Sequence, residues 1–283
     1  MASPSIGLWR RAPSGPGTIN DISPEGVGET GPDSVPTRAG LDDMQESTFT
    51  AKQVRQLRER AWKDLKFPEK VPQGWSKSPV DPTRMLGAFD SLSLRKGYTL
   101  RAYQYREGGK GAGYIWAMPA DEPFPEPREC EERGKGLFSP PRPPRALDSF
   151  MMAITGDRSP GSYLQSSVFN REALQLGAVW HGQDWSTYEV VDRNPIHPDS
   201  VKGYSEEELE HWRPDQWRMR MKEPPEWRPS VQELRDFVRV KFYTLSELVT
   251  MSIYLHVDMY IPGTYMFLKK ESVVATGPRG IAP

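Results

Sequence analysis

The sequence is poor in cysteine, and this scarcity excludes two kinds of architecture. Cys130 is the single cysteine in 283 residues, so the chain can form neither an internal disulfide nor a zinc site of four thiolates. Acidic residues on both sides of it, in "PRECEERG", favour a raised thiol pKa and hence a weak nucleophile. We therefore expect a spectator thiol and a reducing, cytoplasmic environment.

The sequence also lacks long uncharged apolar runs and an excess of positive charge. Its most apolar stretch, "LVTMSIYLHVDMYIPGTYMFLKK", is interrupted by His256, Asp258 and Pro262, so we predict no insertion into a membrane. The net charge is −1, from 37 basic and 38 acidic residues. Such a chain lacks the broad positive field that draws proteins to nucleic acid, and nucleic acid is disfavoured as a partner.

Recognisable catalytic and metal-binding motifs are missing. The sequence contains no G-x-S-x-G and no H-E-x-x-H motif. The glycine-rich run at residues 108–113 matches neither phosphate-binding loop and is not followed by a helix pattern. The four histidines lie in separate segments at no ligand spacing. We expect no metal and no cofactor, and these gaps favour a protein that is not an enzyme without deciding the question.

The first 47 residues differ in composition from the remainder. They are rich in Gly and Pro and carry few apolar residues, so they cannot bury enough surface to offset the entropy of ordering. We predict a disordered tail over residues 1–47 and a single domain over residues 48–283. Arg10 and Arg11, with no acidic residue before Asp21, leave import into an organelle open as an alternative role for the tail.

Helix signals divide the first part of the domain. Thr50 and Gln53 form a capping pair before an amphipathic run whose exposed face is basic; this face is either a patch for an acidic partner or a solvated surface. A second helix is predicted over residues 145–155. A third begins at Ser159 and Pro160 and is predicted to continue to residue 181, with Gly182 ending it. It is apolar nearly all round, which predicts burial on all sides.

Strand signals dominate elsewhere. Two β-favouring runs flank residues 108–113 and predict a hairpin, and "DWSTYEVVD" predicts a short strand. Helices are predicted in "YSEEELEHW" and from Ser230, with Glu233 as its capping partner. Residues 253–261 alternate apolar and polar before Pro262-Gly263, which predicts a second hairpin with one apolar face, on either a two-residue or a longer loop. The predicted fold is α+β: a mainly antiparallel sheet of hairpins packed on the central 160–181 helix.

One candidate site lies at the predicted junction of that helix with a strand. His181 and Asp184 stand between Trp180 and Trp185. They could form a general base with its orienting carboxylate. The alternative is that His181 interacts with the helix dipole and Asp184 occupies a turn, neither of them catalytic.

The second candidate is a segment in which tryptophan and arginine alternate, and it is a predicted binding surface. Both residue types are enriched in binding hot spots. The alternative is a loop held to the domain by its own tryptophans. The residues are Trp212, Trp217, Arg218, Arg220, Trp227 and Arg228.

Two functions follow from these patterns. The first is a non-enzymatic protein-binding or assembly factor, whose partner is another protein. The second is a small-molecule enzyme, such as a hydrolase, that uses His181 and Asp184 in a cleft.

Overall fold

The computed structural model of the protein describes residues 45–67, 70–130, 139–178, 185–197 and 214–280. The helices are α1 (Ala51–Lys63), α2 (Pro82–Leu86) and α3 (Pro160–Leu174). The strands are β1 (Gln45–Thr48), β2 (Gly74–Lys77), β3 (Leu92–Leu94), β4 (Tyr98–Glu107), β5 (Lys110–Pro119), β6 (Ile154–Gly156), β7 (Tyr188–Val191), β8 (Arg218–Met219), β9 (Ser230–Glu233), β10 (Val238–Ser246), β11 (Thr250–Tyr260) and β12 (Phe267–Arg279).

The strands form three sheets in which every pairing is antiparallel. The largest has seven strands in the order β1-β9-β10-β11-β12-β8, with β7 pairing the same edge of β10 beyond the end of β9. A second sheet has the order β2-β4-β5, and β3 pairs with β6 in a two-stranded ribbon. The predicted α+β architecture with antiparallel sheets is therefore confirmed.

Helix α3 lies between the two larger sheets and is buried over most of its length. It contacts β9 and β10 of the large sheet, β5 of the second sheet, and both other helices. Leu164, Val168 and Phe169 are each at most 2 % exposed and belong to the main core. The prediction of a central helix enclosed on nearly all sides is confirmed for this part of the chain.

Two helix starts are correctly predicted by their capping residues. Thr50 caps α1: its hydroxyl accepts from the Gln53 amide, and the Gln53 side chain accepts from the Thr50 amide. Ser159 caps α3, and Pro160 is its first residue.

The predicted end of α3 is wrong. The helix stops at Leu174 rather than at residue 181, and Gly177, at φ +79°, takes the left-handed conformation that we assigned to Gly182. Leu176 and Ala178 are buried although neither is helical. These residues are apolar because they are buried. In the sequence their apolar character looked like a continuation of the helix, and the predicted helix was therefore too long.

Two further helix predictions are wrong because strand pairing takes over the segment. Within residues 145–155 only a short 3₁₀ turn forms, at Phe150–Ala153, and β6 follows it and pairs with β3. Ser230, predicted as a helix cap, begins β9, which pairs with β1 on one side and β10 on the other. Backbone hydrogen bonds to two neighbouring strands outweigh the local capping signal. The helix predicted in "YSEEELEHW" lies outside the described residues.

The predicted β11–β12 hairpin is confirmed. Its loop is the longer of the two alternatives, and the face that is buried near the loop is not the apolar one. Residues 261–266 connect the strands, and Met259 pairs with Leu268. Near the loop the apolar face is exposed: Met259 and Ile261 are 37 % and 59 % exposed. The polar face is the one that packs toward α3.

The predicted domain boundary lies close to the first described strand. β1 begins at Gln45, within the predicted tail, and pairs with β9. Residues 1–44 lie outside the described part of the chain, so the predicted tail stays a prediction.

Candidate functional site

A cleft of about 1180 Å³ opens where α3 ends. Its walls are α1 with the loop that follows it, the tip of the β4–β5 hairpin, the last turn of α3, and β7. It is more than twice as large as the cavity between α1 and α3, which measures about 510 Å³. Large concave surfaces with a few converging polar groups are where ligands bind, so this space, called the cleft below, is the candidate site.

Glycines of the β4–β5 hairpin allow this wall to form. Gly108 and Gly109 both have positive φ, which is the geometry of a tight two-residue hairpin turn. A Cβ at Gly113 would lie 1.5 Å from the carbonyl oxygen of Leu176, so only glycine lets the hairpin approach the end of α3. The glycine-rich run therefore serves backbone packing.

The hairpin also carries Arg106 to the cleft. Gly111 is the cross-strand partner of Arg106. A Cβ at Gly111 would lie 1.5 Å from Arg106 Nη1, so the guanidinium rests on the Gly111 backbone. Nη1 donates to the carbonyl of Gly177 at 2.6 Å. Partial burial lowers the pKa of Arg106. Within the described chain it has no carboxylate partner, so its charge faces the cleft without compensation.

Glu172 forms the floor of the cleft and is fixed by three donors. It is 1 % exposed. Oε1 accepts from Arg58 Nε and Trp185 Nε1, both at 2.6 Å, and Oε2 accepts from Trp62 Nε1 at 2.6 Å. Arg58 and Trp62 are four residues apart on α1 and so share one face of it. A buried carboxylate held in this way is rigid, because each of its hydrogen bonds is charge-assisted.

The remaining charges of the cleft divide into paired and unpaired groups. Arg55 pairs with Glu189 at 2.7 Å, and Arg58 pairs with Glu172. Lys70 and Glu59 also line the cleft, and neither forms an ion pair with another described residue. Together with Arg106, this leaves two uncompensated cations against one carboxylate, an excess of positive charge on the wall.

An apolar strip lies beside these cations. The rings of Trp62 and Phe67 stack with their centroids 5.7 Å apart, and Val71 continues the strip along the loop after α1. Phe67 is 44 % exposed. An exposed aromatic next to unpaired cations is an arrangement found at binding surfaces.

A smaller space, which we call the groove, lies on the other side of Tyr188 and Gln175, which line both cavities. It measures about 260 Å³. Beneath it Arg171 and Asp258 form a buried bidentate pair, with Nη1–Oδ2 at 2.5 Å and Nη2–Oδ1 at 2.9 Å. The face of β11 that sequence patterning assigned to solvent thus carries buried charge.

His256 belongs to a chain of contacts that resembles a nucleophile with its base. Thr244 Oγ1 lies 2.8 Å from His256 Nε2, and His256 Nδ1 lies 3.3 Å from Glu271 Oε2. Burial, and then the charges of Arg171 and Lys269, lower the pKa of His256 to about 3. Thr244 is fully buried, so its hydroxyl cannot reach a substrate, and an imidazole this hard to protonate is a poor general base near neutral pH. We interpret this chain as structural.

The predicted catalytic pair, His181 and Asp184, lies outside the described residues, and its role stays a prediction. The described residues that flank this stretch, Ala178 and Ser186, both line the cleft.

The predicted binding segment packs on the large sheet, on the side away from α3. Trp217 and Trp227 are buried there with Tyr243 and Ile253. Arg218, Arg220 and Arg228 are exposed, and Arg228 pairs with Glu226. Trp212 lies outside the described residues. The buried indoles fit the alternative interpretation, a loop held by its tryptophans, while binding by the arginines stays a prediction.

Sequence reasoning did not single out Glu172 or Arg106. A lone glutamate in a helix that is apolar nearly all round is a usable signal, because an unpaired buried carboxylate is costly and therefore implies partners. Arg106 carried no such signal, since its position depends on glycines across the hairpin.

Comparisons with protein families, with curated proteins and with solved structures found no match to this chain. No group of three metal-ligating side chains occurs within the described ranges. None of the described helices has the length and apolar character that a membrane span requires.

Proposed function

We propose that the protein is a non-enzymatic binding factor that holds an acidic segment of a partner protein in the cleft. The observation that carries this proposal is the pair of cations, Arg106 and Lys70, that have no carboxylate partner among the described residues and line the cleft with the aromatic strip of Trp62 and Phe67. An acidic side chain of the partner would neutralise the cations, and an apolar neighbour would cover the strip.

The size of the cleft supports a chain segment over a small molecule. Pockets for small molecules commonly span roughly 300–1,000 Å³, and this cleft has about 1180 Å³. The carboxylate of Glu172, at the floor of the cleft, already accepts hydrogen bonds from three donors. An incoming ligand therefore meets the walls, where the charge is positive.

The electrostatic argument concerns Arg106 in particular. Its guanidinium has lost part of its hydration, which lowers its pKa, and its one short contact is to a neutral carbonyl. A carboxylate placed beside it would regain the lost stabilisation in a bidentate geometry. A cytoplasmic setting is part of the proposal and is supported by the single cysteine, Cys130, which is buried.

The test places a photo-crosslinker in the cleft. p-Benzoylphenylalanine replaces Phe67, and in a control protein it replaces Leu268, an exposed residue of β12 outside the cleft. Irradiation in a lysate of the source organism, followed by peptide mapping, identifies the segment that was bound. We expect the Phe67 position alone to capture a segment containing Asp or Glu.

A charge variant makes this test specific. R106Q combined with K70Q should lower the cross-link yield at least about tenfold, because truncating one side of a desolvated charge pair costs 2–5 kcal/mol. Equal capture from the Leu268 position, a captured segment without acidic residues, or an undiminished yield in R106Q/K70Q would overturn the proposal.

The alternative, a small-molecule enzyme using His181 and Asp184, has one supporting observation: Ala178 and Ser186, on either side of that stretch, line the cleft. Hydrolysis of p-nitrophenyl acetate tests it. An activity that H181A and D184A both abolish, with circular dichroism unchanged, would favour the enzyme over the binding factor.

A further inference from the structure

Within the described part of the chain, one lysine of the groove forms no ion pair with a carboxylate. Lys269 is the cross-strand partner of Asp258 in the β11–β12 ladder. Arg171 occupies both oxygens of that carboxylate, through Nη1 and Nη2. Lys269 therefore lies beside an ion pair that is already complete, and the described residues offer its ammonium no ion pair of its own.

The surroundings of the ammonium are apolar and cationic. Lys269 Nζ lies 5.8 Å from the centroid of the Phe267 ring, and Trp185 and Tyr188 line the same groove. Much of the side chain is exposed, because β12 lies near the edge of the sheet. Partial burial, followed by the charge of Arg171, lowers the pKa of Lys269 to about 8, and the charge of Asp258 opposes this shift.

The charged and titratable groups around Lys269 come from four elements. Arg171 approaches from α3, and Tyr188 from β7. Asp258 and His256 lie on β11, where His256 is neutral near pH 7 because its pKa is lowered to about 3. Lys270 and Glu271 follow on β12 and also line the groove.

A desolvated lysine beside another cation is the arrangement that activates an amine as a nucleophile. We propose that Lys269 is a nucleophilic amine that captures a small carbonyl compound in the groove as an imine. The lone pair on Nζ attacks the carbonyl carbon, and a proton moves from nitrogen to oxygen to give a carbinolamine. Loss of one water then leaves the C=N bond, so the step needs no oxidant or reductant.

The groove limits the size and character of the carbonyl compound. Its volume of about 260 Å³ is below the range of roughly 300–1,000 Å³ typical of drug-sized ligands. The aromatic side chains of Trp185 and Tyr188 suit a compact body. The two lysines of the lining, Lys269 and Lys270, outnumber Glu271 and favour a compound with a negative charge. A small aldehyde or keto acid fits these limits.

The test uses glyoxylate, a small aldehyde that carries a carboxylate, with sodium cyanoborohydride to trap any imine. The full chain is treated at pH 7 with limiting reagent, and peptide mass spectrometry gives the rate at each lysine. At this pH roughly a tenth of an amine with a pKa of about 8 is neutral, against roughly one in 3,000 for an ordinary lysine. We expect Lys269 to react at least about tenfold faster than Lys270 and Lys110, since lower basicity also weakens the nucleophile.

Two variants and a pH series keep the test decisive. K269R should abolish the fast modification, and the matched K270R should leave it intact. The rate at Lys269 should level off above about pH 8. Equal rates at Lys269 and Lys270, or a fast rate that survives K269R, would overturn the proposal. Since the cleft plays no part in this reaction, either outcome leaves the proposed binding function to its own test.

Discussion

The two sides of the large sheet are buried by different means. On the side facing α3, β11 contributes His256, Asp258 and Tyr260, none more than 2 % exposed. On the reverse side it contributes Met251 and Ile253, which pack with Trp217 and Trp227. Along β11, one side is therefore held by polar groups with specific partners, and the other by apolar bulk.

This difference shows that polarity alone does not predict which face of a strand is buried. The polar face is tolerated beneath α3 because each group meets a partner there: Tyr260 Oη donates to the Tyr163 carbonyl at 3.0 Å, and Asp258 pairs with Arg171. The apolar face continues beyond its tryptophan cover and ends in solvent at Met259. Packing of the helix, and not the alternation itself, decides between the faces.

The largest effect should come from removing a charge on the helix side. D258N leaves Arg171 buried opposite a neutral amide, and losing one partner of a buried ion pair costs about 3–5 kcal/mol. Chemical denaturation of the wild type and the variant measures this loss in the free energy of unfolding.

The matched control removes both charges. R171M combined with D258L should cost less than D258N alone, because apolar replacement of a buried pair is often neutral. If the double variant is as unstable as D258N, the Arg171–Asp258 pair stabilises the fold by more than neutralising its own two charges. The contrast between the polar and the apolar side of the sheet would then weaken.

On the reverse side, a tryptophan should matter and its neighbouring arginine should not. W217A removes a buried indole and should lower the free energy of unfolding by about 3 kcal/mol. R218A changes an exposed side chain and should stay within about 0.5 kcal/mol. R218A is consequently the variant with which to test binding by this segment. A stable W217A would instead place that indole outside the core.

The sequence predicted those parts of the fold that depend on neighbouring residues. The Thr50–Gln53 capping box, the Ser159–Pro160 helix start and the hairpin at residues 108–113 are all local, and all three are present. The turn of that hairpin is shorter than predicted, because β5 already begins at Lys110. The apolar character of α3 also predicted its burial, because a helix without a polar face has no side to present to water.

The failures share a dependence on distant partners. Ser230 carries a capping signal, but β1 and β10 pair with its strand from both sides. The end of α3 is set by the approach of Gly113 from a hairpin about 60 residues earlier in the chain, a separation over which no local pattern operates. For the same reason the cleft could not be predicted: Arg58, Arg106 and Glu172 come from three separate elements.

His256 makes stability on the helix side dependent on pH. Its pKa falls from the ordinary value of about 6.5 to about 3 in the folded protein, so the unfolded chain takes up a proton in this interval and the folded chain does not. Stability is therefore complete above about pH 6.5 and is lost as the pH falls toward 3, by about 1.4 kcal/mol per pH unit from this group.

Denaturation at several pH values measures this slope. H256Q removes the titrating group and should flatten the dependence between pH 6.5 and 4 relative to the wild type. The same slope in H256Q and in the wild type would assign the acid sensitivity to the carboxylates.

The smallest effect should come from the open end of the apolar face. Met259 and Leu268 pair across the β11–β12 hairpin and are 37 % and 69 % exposed, so M259T combined with L268T should change the free energy of unfolding by no more than about 0.5 kcal/mol. I253T, on the same side of β11 but fully buried, should cost about 2 kcal/mol or more. Equal losses would mean that the exposed pair is covered in solution, and the apolar pattern of the sequence would then mark a second buried surface after all.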